Sequence, residues 1–388
     1  VKILHLTGEF PPLVLGGLGT YVDAVAHLQA ASGDEVMVCV LEGEAKKYNT
    51  VPKPLKKSGL TVAWRQFQPE KFSLSHSEIR SAASIIQQFD LDFLVKFAPD
   101  IIHVHDWYGA LWGAALQQTL GAVMVFTSHL PTRAGFVYSG HSLAIKHKTQ
   151  FEALAMRVAN TVTVPSQFLA ATVIAEYNVQ PSKVKVVANG IDERFFVNQS
   201  PKKPNGKPQP IELLAVARLT EQKGLSYLNR AVAELKAQNS LVHCSIVGDG
   251  PLRESLESEI KQLNLQEQVE LLGFRDHDAL RLLYQRADIF VSTSIYEPFG
   301  LVVLEAMAAG LPVVAFQTGG IPEIIATEKF GRLVPPCDLL KLNRTIAELI
   351  ESAHLRKKLG EAGKKRAKTF LWPEIVAHLK TIYQEIKT

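Results

Sequence analysis

The chain has 388 residues, 47% hydrophobic and 21% charged, with a formal net charge of +4. This composition describes an ordered chain long enough for two domains with full cores, and it excludes a disordered or low-complexity protein. Lys and Arg alternate with acids and form no long block, so no nucleic-acid partner is expected.

Short β-rich runs alternate with helical stretches along the chain, which is the α/β pattern. The first predicted strand is Val1 to Thr7, followed by a loop with Gly16, Gly17 and Gly19 and a helix from about Tyr21 to Ala31. Gly16 and Gly17 do not match the dinucleotide fingerprint, but glycines between a strand and a helix suit a phosphate cradle. Further strands are predicted at Glu35 to Leu41, Leu60 to Trp64, Ile101 to His105, Val123 to Thr127, Thr161 to Val164 and Lys183 to Ala188, with one helical stretch over Ile79 to Phe97. Most are near-continuous apolar runs, as a parallel sheet covered on both faces requires. His103 and His105 share a strand face and precede Asp106, which raises a metal reading. No second cluster supplies further ligands, and a polar strand end explains the three residues. His129 follows the strand Val123 to Thr127, with Arg133 four residues on, and places an imidazole at a cleft edge. A lone His of this kind is more often structural.

Residues 198–210 read NQSPKKPNGKPQP, a linker composition. A second series of strands follows at Ile211 to Ala217, Val242 to Val247, Val269 to Leu272, Ile289 to Ser292, Pro312 to Phe316 and Arg332 to Val334, and a last helix is predicted over Pro373 to Ile386. The chain is therefore expected to hold two Rossmann-like units in tandem, whose ligands bind beyond the carboxyl ends of the strands. The distinctive residues of the second unit lie there. Arg218 and Lys223 share one loop and suit a diphosphate, Arg as a rigid fork and Lys as a point charge, although a solvated loop accounts for them equally in isolation. Gly248-Asp-Gly250 is a tight turn that allows close backbone approach. Phe274 and Arg275 end a strand and present backbone to a base, with Asp276 placed to cap the next helix. Glu297-Pro-Phe-Gly-Leu-Val-Val-Leu-Glu305 sets two carboxylates eight positions apart around a helix start. Phe299, Gly300 and Leu301 should expose unpaired amides there, a site that attracts anions and hydroxyls. A helix cap and an ordinary ion pair would also explain Glu297 and Glu305 taken alone. Thr318-Gly319-Gly320 forms a further Gly turn, ending near Glu323.

Cys39, Cys244 and Cys337 are odd in number and far apart, which fits free thiols in a reducing compartment. Neither a membrane span nor a leader is indicated, so a cytoplasmic location is expected. Peripheral membrane contact stays open, because a patch assembled by folding leaves no trace in sequence. Neither Asp-x-Asp triplet reads as a metal site: Asp90-Leu-Asp92 falls in a helical stretch, and Asp276-His-Asp278 reads as a cap with an acidic first turn.

Together these residues resemble the retaining glycosyltransferases of family 4, with the GT-B fold. The resemblance spans the whole length: the Gly16-Gly17 loop, a His at 129, Arg218 with Lys223, the double-Glu motif, and Trp372 before the last helix. Glu9-Phe10-Pro11-Pro12 and His105-Asp106-Trp107 further resemble glycogen and starch synthases and bacterial exopolysaccharide glycosyltransferases. The resemblance implies an α/β protein of two Rossmann-like domains facing a deep interdomain cleft. Residues 1–197 with 373–388 would form the acceptor domain, and 211–372 the sugar-nucleotide domain. It further implies that Glu297 contacts donor-sugar hydroxyls, Glu305 the ribose, and Arg218 with Lys223 the diphosphate. The backbone of Phe299, Gly300 and Leu301 would complete the donor site, Gly16 would approach the diphosphate, and His129 the sugar.

The expected reaction transfers a hexose, with UDP-glucose as the favoured donor, to a hydroxyl of a saccharide or lipid-linked saccharide acceptor, with retention. Two cations and a helix N-terminus already neutralise the diphosphate, so neither metal nor other cofactor is expected. The alternatives on such a fold are a sugar-nucleotide epimerase, a phosphorylase, or a noncatalytic sugar-nucleotide-binding subunit.

Overall fold

The computed structural model describes residues 1–13, 16–42, 60–66, 82–88, 91–132, 143–197 and 209–387. They form two compact units: Val1–Asn189 with Trp372–Thr388, and Gly190–Leu371.

The first unit is built on seven parallel strands: β1 (Lys2–Thr7), β2 (Glu35–Glu42), β3 (Leu60–Gln66), β4 (Ile101–His105), β5 (Val123–Thr127), β6 (Thr161–Val164) and β7 (Val184–Val186), in the order β3-β2-β1-β4-β5-β6-β7. Side chains alternate between faces along a strand, and here the alternation sorts chemistry. Leu4, Leu6, Cys39, Leu41, Ile102, Val104, Met124, Phe126, Val162 and Val164 join one apolar core. Ile3, Val36, Val38, Val40, Ile101 and Val125 join the core on the other face, with helices Gly17–Ala31 and Trp372–Lys387 packed over it. On that second face the strands turn polar toward their carboxyl ends, where His5, Thr7, His103, His105, Thr127 and Thr163 are all buried.

Three predicted elements differ in extent. The first helix opens at Gly17, one turn earlier than the predicted start near Tyr21, so Gly17 and Gly19 are helical and Gly16 is the N-cap. The helical stretch Ile79 to Phe97 is two helices, Ala82–Gln88 and Asp92–Phe97, with Leu91 fully buried ahead of the second. The second helix stops at Ala98, which adopts φ 49° ahead of Pro99 and closes the last turn. Strand β7 is only three residues long, because Pro181–Lys183 forms a 3-10 turn before it.

The second unit carries six parallel strands: β8 (Ile211–Val216), β9 (Val242–Val247), β10 (Val269–Gly273), β11 (Ile289–Ser292), β12 (Val313–Phe316) and β13 (Arg332–Val334), in the order β10-β9-β8-β11-β12-β13. In both sheets the chain starts centrally, winds to one edge, and returns to wind the other way. The direction reverses between β1 and β4 in the first unit and between β8 and β11 in the second. Such reversals leave a crevice beyond the strand ends where ligands bind. Residues 190–197 fold with the second unit. The amide of Ile191 donates to the Phe370 carbonyl at 2.8 Å, and the buried Phe195 ring packs edge-on against Tyr284. Most of the predicted linker, 198–208, lies outside the described residues.

Cys39 and Cys244 are buried on β2 and β9 and Cys337 is exposed; all three are free. Among the described residues no helix is long and apolar enough to cross a membrane.

Candidate active site

The loops leaving β8 and β11 flank the reversal in the second sheet, and their backbones are stitched together. The amide of Ile295 donates to the Gln222 carbonyl at 2.8 Å, and the Thr293 hydroxyl donates to the Lys223 carbonyl at 3.1 Å. Gly224 takes φ +56°, and a Cβ there would meet the Thr293 carbonyl oxygen at 2.3 Å, so only Gly permits this approach. The stitching places the Lys223 ammonium 2.7 Å from Glu297 Oε2, with both side chains largely buried. The Ser294 hydroxyl reaches the same carboxylate oxygen at 3.4 Å. Arg218 stands exposed on the same loop, with no ion-pair partner among the described residues.

Behind Glu297 sits the turn Thr318-Gly319-Gly320. The amide of Gly320 donates to the Glu297 carbonyl at 2.9 Å, and a Cβ on Gly319 would fall 1.7 Å from that carbonyl oxygen. The sequence marked this turn by its glycines, and their function is to fix the Glu297 backbone from behind. In front, Gly300 at φ +113° is the N-cap of the helix Leu301–Ala308. Among the described residues the amides of Phe299, Gly300 and Leu301 donate to no protein acceptor, so the expected row of free donors is present. The Phe299 ring itself is buried, edge-on to Phe370.

Glu305 lies further along that helix and does not meet Lys223. It accepts from the Tyr284 hydroxyl at 2.9 Å. A sliver of Glu305 stays open to solvent, but the surrounding protein desolvates the carboxyl and raises it to about 7, against the opposing pull of the Tyr284 hydrogen bond and the charge of Arg194. Tyr284 and Arg194 escaped the sequence reading. They approach Glu305 from another helix and from the turn Glu193–Phe195, and no spacing in the chain signals either contact.

Other predicted positions have structural accounts. Gly248 and Gly250 would place a Cβ 1.9 Å from the Ala217 carbonyl oxygen and 2.5 Å from that of Leu219, so the close approach they allow is to the Arg218 loop itself. Phe274 is 72% exposed and Arg275 is bonded to the Phe274 carbonyl, at the end of edge strand β10, two strands from the reversal. Asp276 caps the helix His277–Arg286 as predicted, accepting from the Ala279 amide at 2.9 Å.

In the first unit, the Gly16 amide already donates to Glu9 Oε2 at 3.1 Å, so a carboxylate stands where the sequence suggested a phosphate cradle. His129 is partly buried. Its backbone amide donates to Asp106 Oδ1 at 2.7 Å, and its Nε2 lies 3.3 Å from His105 Nδ1. Arg133 lies outside the described residues. Burial lowers His129 to about 3 and His5 to about 4, and burial reinforced by the neighbouring imidazoles holds His103 and His105 well below the usual range. Burial, then the charge of Glu152, pushes the Asp106 carboxyl well above its usual range.

The metal reading is reshaped. The ring nitrogens that approach one another belong to His5, His103 and His105, with ligand atoms within 4.8 Å, and Asp106 is not among them. Both nitrogens of each ring are within hydrogen-bond reach of another side chain. His5 was missed because only the strand order sets β1 beside β4, with His5 opposite His103 in register.

Two doubly wound sheets in tandem, with free helix amides and a buried Lys–Glu pair at a switch point, are the architecture of the GT-B class. Comparison with known proteins agrees. The family descriptions "Glycosyltransferase Family 4" and "Glycosyl transferases group 1" match residues 15–195 and 197–366. An uncharacterized glycosyltransferase of Methanocaldococcus jannaschii is 33% identical over 349 residues, covering 87% of this chain and 85% of that protein. Glycogen synthase of Mycobacterium tuberculosis is 27% identical over 401 residues, covering 100% and 95%. Among solved structures, the Anabaena protein HepE in complex with UDP-glucose superposes with a TM-score of 0.76 at 23% identity, covering 99% of each chain. The chain belongs to glycosyltransferase family 4 and is a glycosyltransferase related to glycogen synthase.

Proposed function

We propose that this enzyme is a retaining, metal-independent hexosyltransferase. It takes a nucleoside-diphosphate sugar, UDP-glucose in the favoured case, and transfers the hexose to a hydroxyl of a saccharide or lipid-linked saccharide in polysaccharide assembly. The observation that carries this reading is the Lys223–Glu297 pair set beside the free amides of Phe299, Gly300 and Leu301. A diphosphate matches the amides, Lys223 and the exposed Arg218, and sugar hydroxyls match Glu297. The ribose diol is assigned to Glu305, and a hydroxyl of the donor sugar to His129. The UDP-glucose held by HepE and the relation to glycogen synthase support the choice of donor.

In the proposed reaction the bond between the anomeric carbon and the β-phosphate oxygen breaks, and its electron pair goes to that oxygen. The acceptor hydroxyl oxygen bonds to the anomeric carbon from the same side, and its proton passes to the departing phosphate. Lys223 and Arg218 stabilise the charge that develops on the phosphate, which is where fixed cations lower a barrier most. Those cations supply what a divalent ion would otherwise supply, so activity should persist in excess chelator.

Arg218→Ala with Lys223→Ala should reduce kcat/KM for transfer by roughly a thousandfold or more, the scale for losing transition-state charge stabilisation. Near wild-type transfer by the folded double variant rejects the clamp. Product analysis on the wild type tests the rest. An α-linked product from an α-linked donor, formed only with an acceptor and without free phosphate, is the expected result; donor interconversion without acceptor would mark an epimerase.

A further inference from the structure

The buried polar face of the first sheet holds two hydrogen-bonded branches that meet at one amide. Gln29 Oε1 is 2.8 Å from His5 Nε2, His5 Nδ1 is 3.0 Å from His105 Nε2, and His105 Nδ1 is 3.3 Å from His129 Nε2. On the other side Gln29 Nε2 faces the Tyr383 oxygen at 3.4 Å. Tyr383 meets His103 Nδ1 at 2.6 Å, His103 Nε2 meets Thr127 Oγ1 at 2.5 Å, and Thr127 meets Thr163 at 2.5 Å. Gln29, His5, His103 and His105 are completely buried, so water offers none of them an alternative partner.

A neutral imidazole carries one N–H and one lone pair. Burial keeps these rings neutral. In a chain of neutral rings every bond must therefore run in the same sense, or two lone pairs or two N–H groups would face each other at about 3 Å without water, a conflict costing on the order of 1–3 kcal/mol. Gln29 is the member shared by both branches, and its amide turns an acceptor to one and a donor to the other, so its orientation ties the sense of the two together. With its oxygen toward His5, the proton sits on Nε2 of His5, His105 and His129 in turn. Its amide NH2 donates to Tyr383, which donates to His103, which donates to Thr127, which donates to Thr163. Every contact in both branches is satisfied in this sense. Turning the amide over would reverse every bond together, which shows how tightly the rings are coupled.

We infer that Gln29 is a positioning residue that selects the tautomer of His129 from three hydrogen bonds away, through His5 and His105. The consequence is that His129 Nδ1, the ring nitrogen outside the chain, is an unprotonated acceptor, fit to receive a hydrogen bond from a hydroxyl group. Tyr21 holds the ring in place, edge-on to His129 with centroids 4.8 Å apart and edge-on to His105 at 5.8 Å. That His129 meets a sugar hydroxyl rests on the reading given under Proposed function; the tautomer relay does not.

The test is imidazole nitrogen NMR on the full-length enzyme, with His5, His105 and His129 assigned by the signals that single His→Gln variants remove. All three rings are expected as the Nε2–H tautomer in the wild type, and an Nδ1–H tautomer at any of them overturns the inference without any variant of Gln29. Gln29→Leu removes the residue that chooses the sense, and His129 should move from more than about nine-tenths Nε2–H to a roughly even mixture. An unchanged His129 tautomer in folded Gln29→Leu also overturns it. Transfer at saturating donor should fall about tenfold in this variant while affinity for UDP alone holds, because UDP lacks the sugar. A changed tautomer with unchanged transfer leaves the relay standing and removes His129 from the sugar site.

Discussion

The two units share a strand order and a reversal point, yet they fill it with opposite chemistry. At the reversal of the first sheet stand neutral imidazoles, with Gln29, Tyr383 and two threonines closing the hydrogen bonds. At the reversal of the second stand an ion pair, an exposed guanidinium and a row of free amides. The first is dominated by neutral rings bonded to one another; the second is charged and presents unspent donors. The same backbone topology tolerates both, because reversal creates only the crevice, and the side chains at the strand ends decide what it attracts.

The comparison breaks most readily at Lys223. If the second site is charged and desolvated, Lys223→Met strands the Glu297 carboxylate with only the Ser294 hydroxyl at 3.4 Å for company. The second unit should lose on the order of 3 kcal/mol, and adding Glu297→Gln should recover most of it. The first unit can be followed separately and its transition set aside, since Trp64, Trp107, Trp112 and Trp372 all lie in it and report it by fluorescence. A cost below about 1 kcal/mol in urea unfolding followed by circular dichroism would class the pair with solvent-screened surface pairs and remove the contrast.

The second prediction concerns pH, where Glu305 in the second unit and His5 in the first should contribute with opposite sign. Glu305 is raised from 4.5 to about 7, so the folded second unit holds a proton that the unfolded chain releases between those values. Its contribution is fully present below about pH 4.5 and is lost as pH rises to about 7, on the order of 3 kcal/mol. His5 is lowered from 6.5 to about 4, so its contribution is present above about pH 6.5 and is lost as pH falls to about 4, by a similar amount. Asp106 and Glu152 in the first unit are raised carboxyls with the sign of Glu305, so each effect is read as a difference from a variant. The stability of Glu305→Gln relative to wild type should improve as pH rises from 4.5 to 7. That of His5→Leu relative to wild type should improve as pH falls from 6.5 to 4. Two differences that move in the same direction would defeat the contrast.

These contrasts were unevenly legible in the sequence. Strands β4, β5, β6, β9, β11 and β13 fall on the predicted residues because a strand covered on both faces is written as a largely apolar, β-branched run. The helix Leu301–Ala308 was legible from its boundary, since Gly300 before an apolar run marks the N-cap, which here takes a φ of +113° that favours glycine. Helix ends without such punctuation were not: Gly17 joins the first helix although glycine is a poor helix former, since tertiary packing buries Leu18, Gly19 and Tyr21 regardless. The charged site was readable because its residues sit in short motifs on two strand-end loops of one unit and carry unusual chemistry. The imidazole network was not, because His5, Gln29, His103, His129 and Tyr383 are scattered over the chain and only strand order and the packing of two helices collect them. Sequence spacing reports neighbours along an element, whereas this network is made entirely of neighbours across elements.

The smallest prediction asks where the two units should not differ. Ser166 caps the helix Gln167–Tyr177 in the first unit, accepting from the Leu169 amide at 3.1 Å, and Asp276 caps the helix His277–Arg286 in the second, accepting from Ala279 at 2.9 Å. Both residues are extended, both accept from the third residue of the helix, and both satisfy one otherwise orphaned amide. Ser166→Ala and Asp276→Ala should each cost about 1 kcal/mol, the usual value of such a cap. Asp276 adds a carboxylate at the positive end of a helix dipole, a contribution of a few tenths of a kcal/mol that high salt removes. Ser166 is uncharged, so its effect should hold from low to high salt. Local caps follow backbone geometry, which the units share, and respond alike; the strand-end side chains, which they do not share, respond oppositely. A cap variant in one unit that cost several times the other at high salt would show that the difference between the units extends beyond the reversal points into the helices themselves.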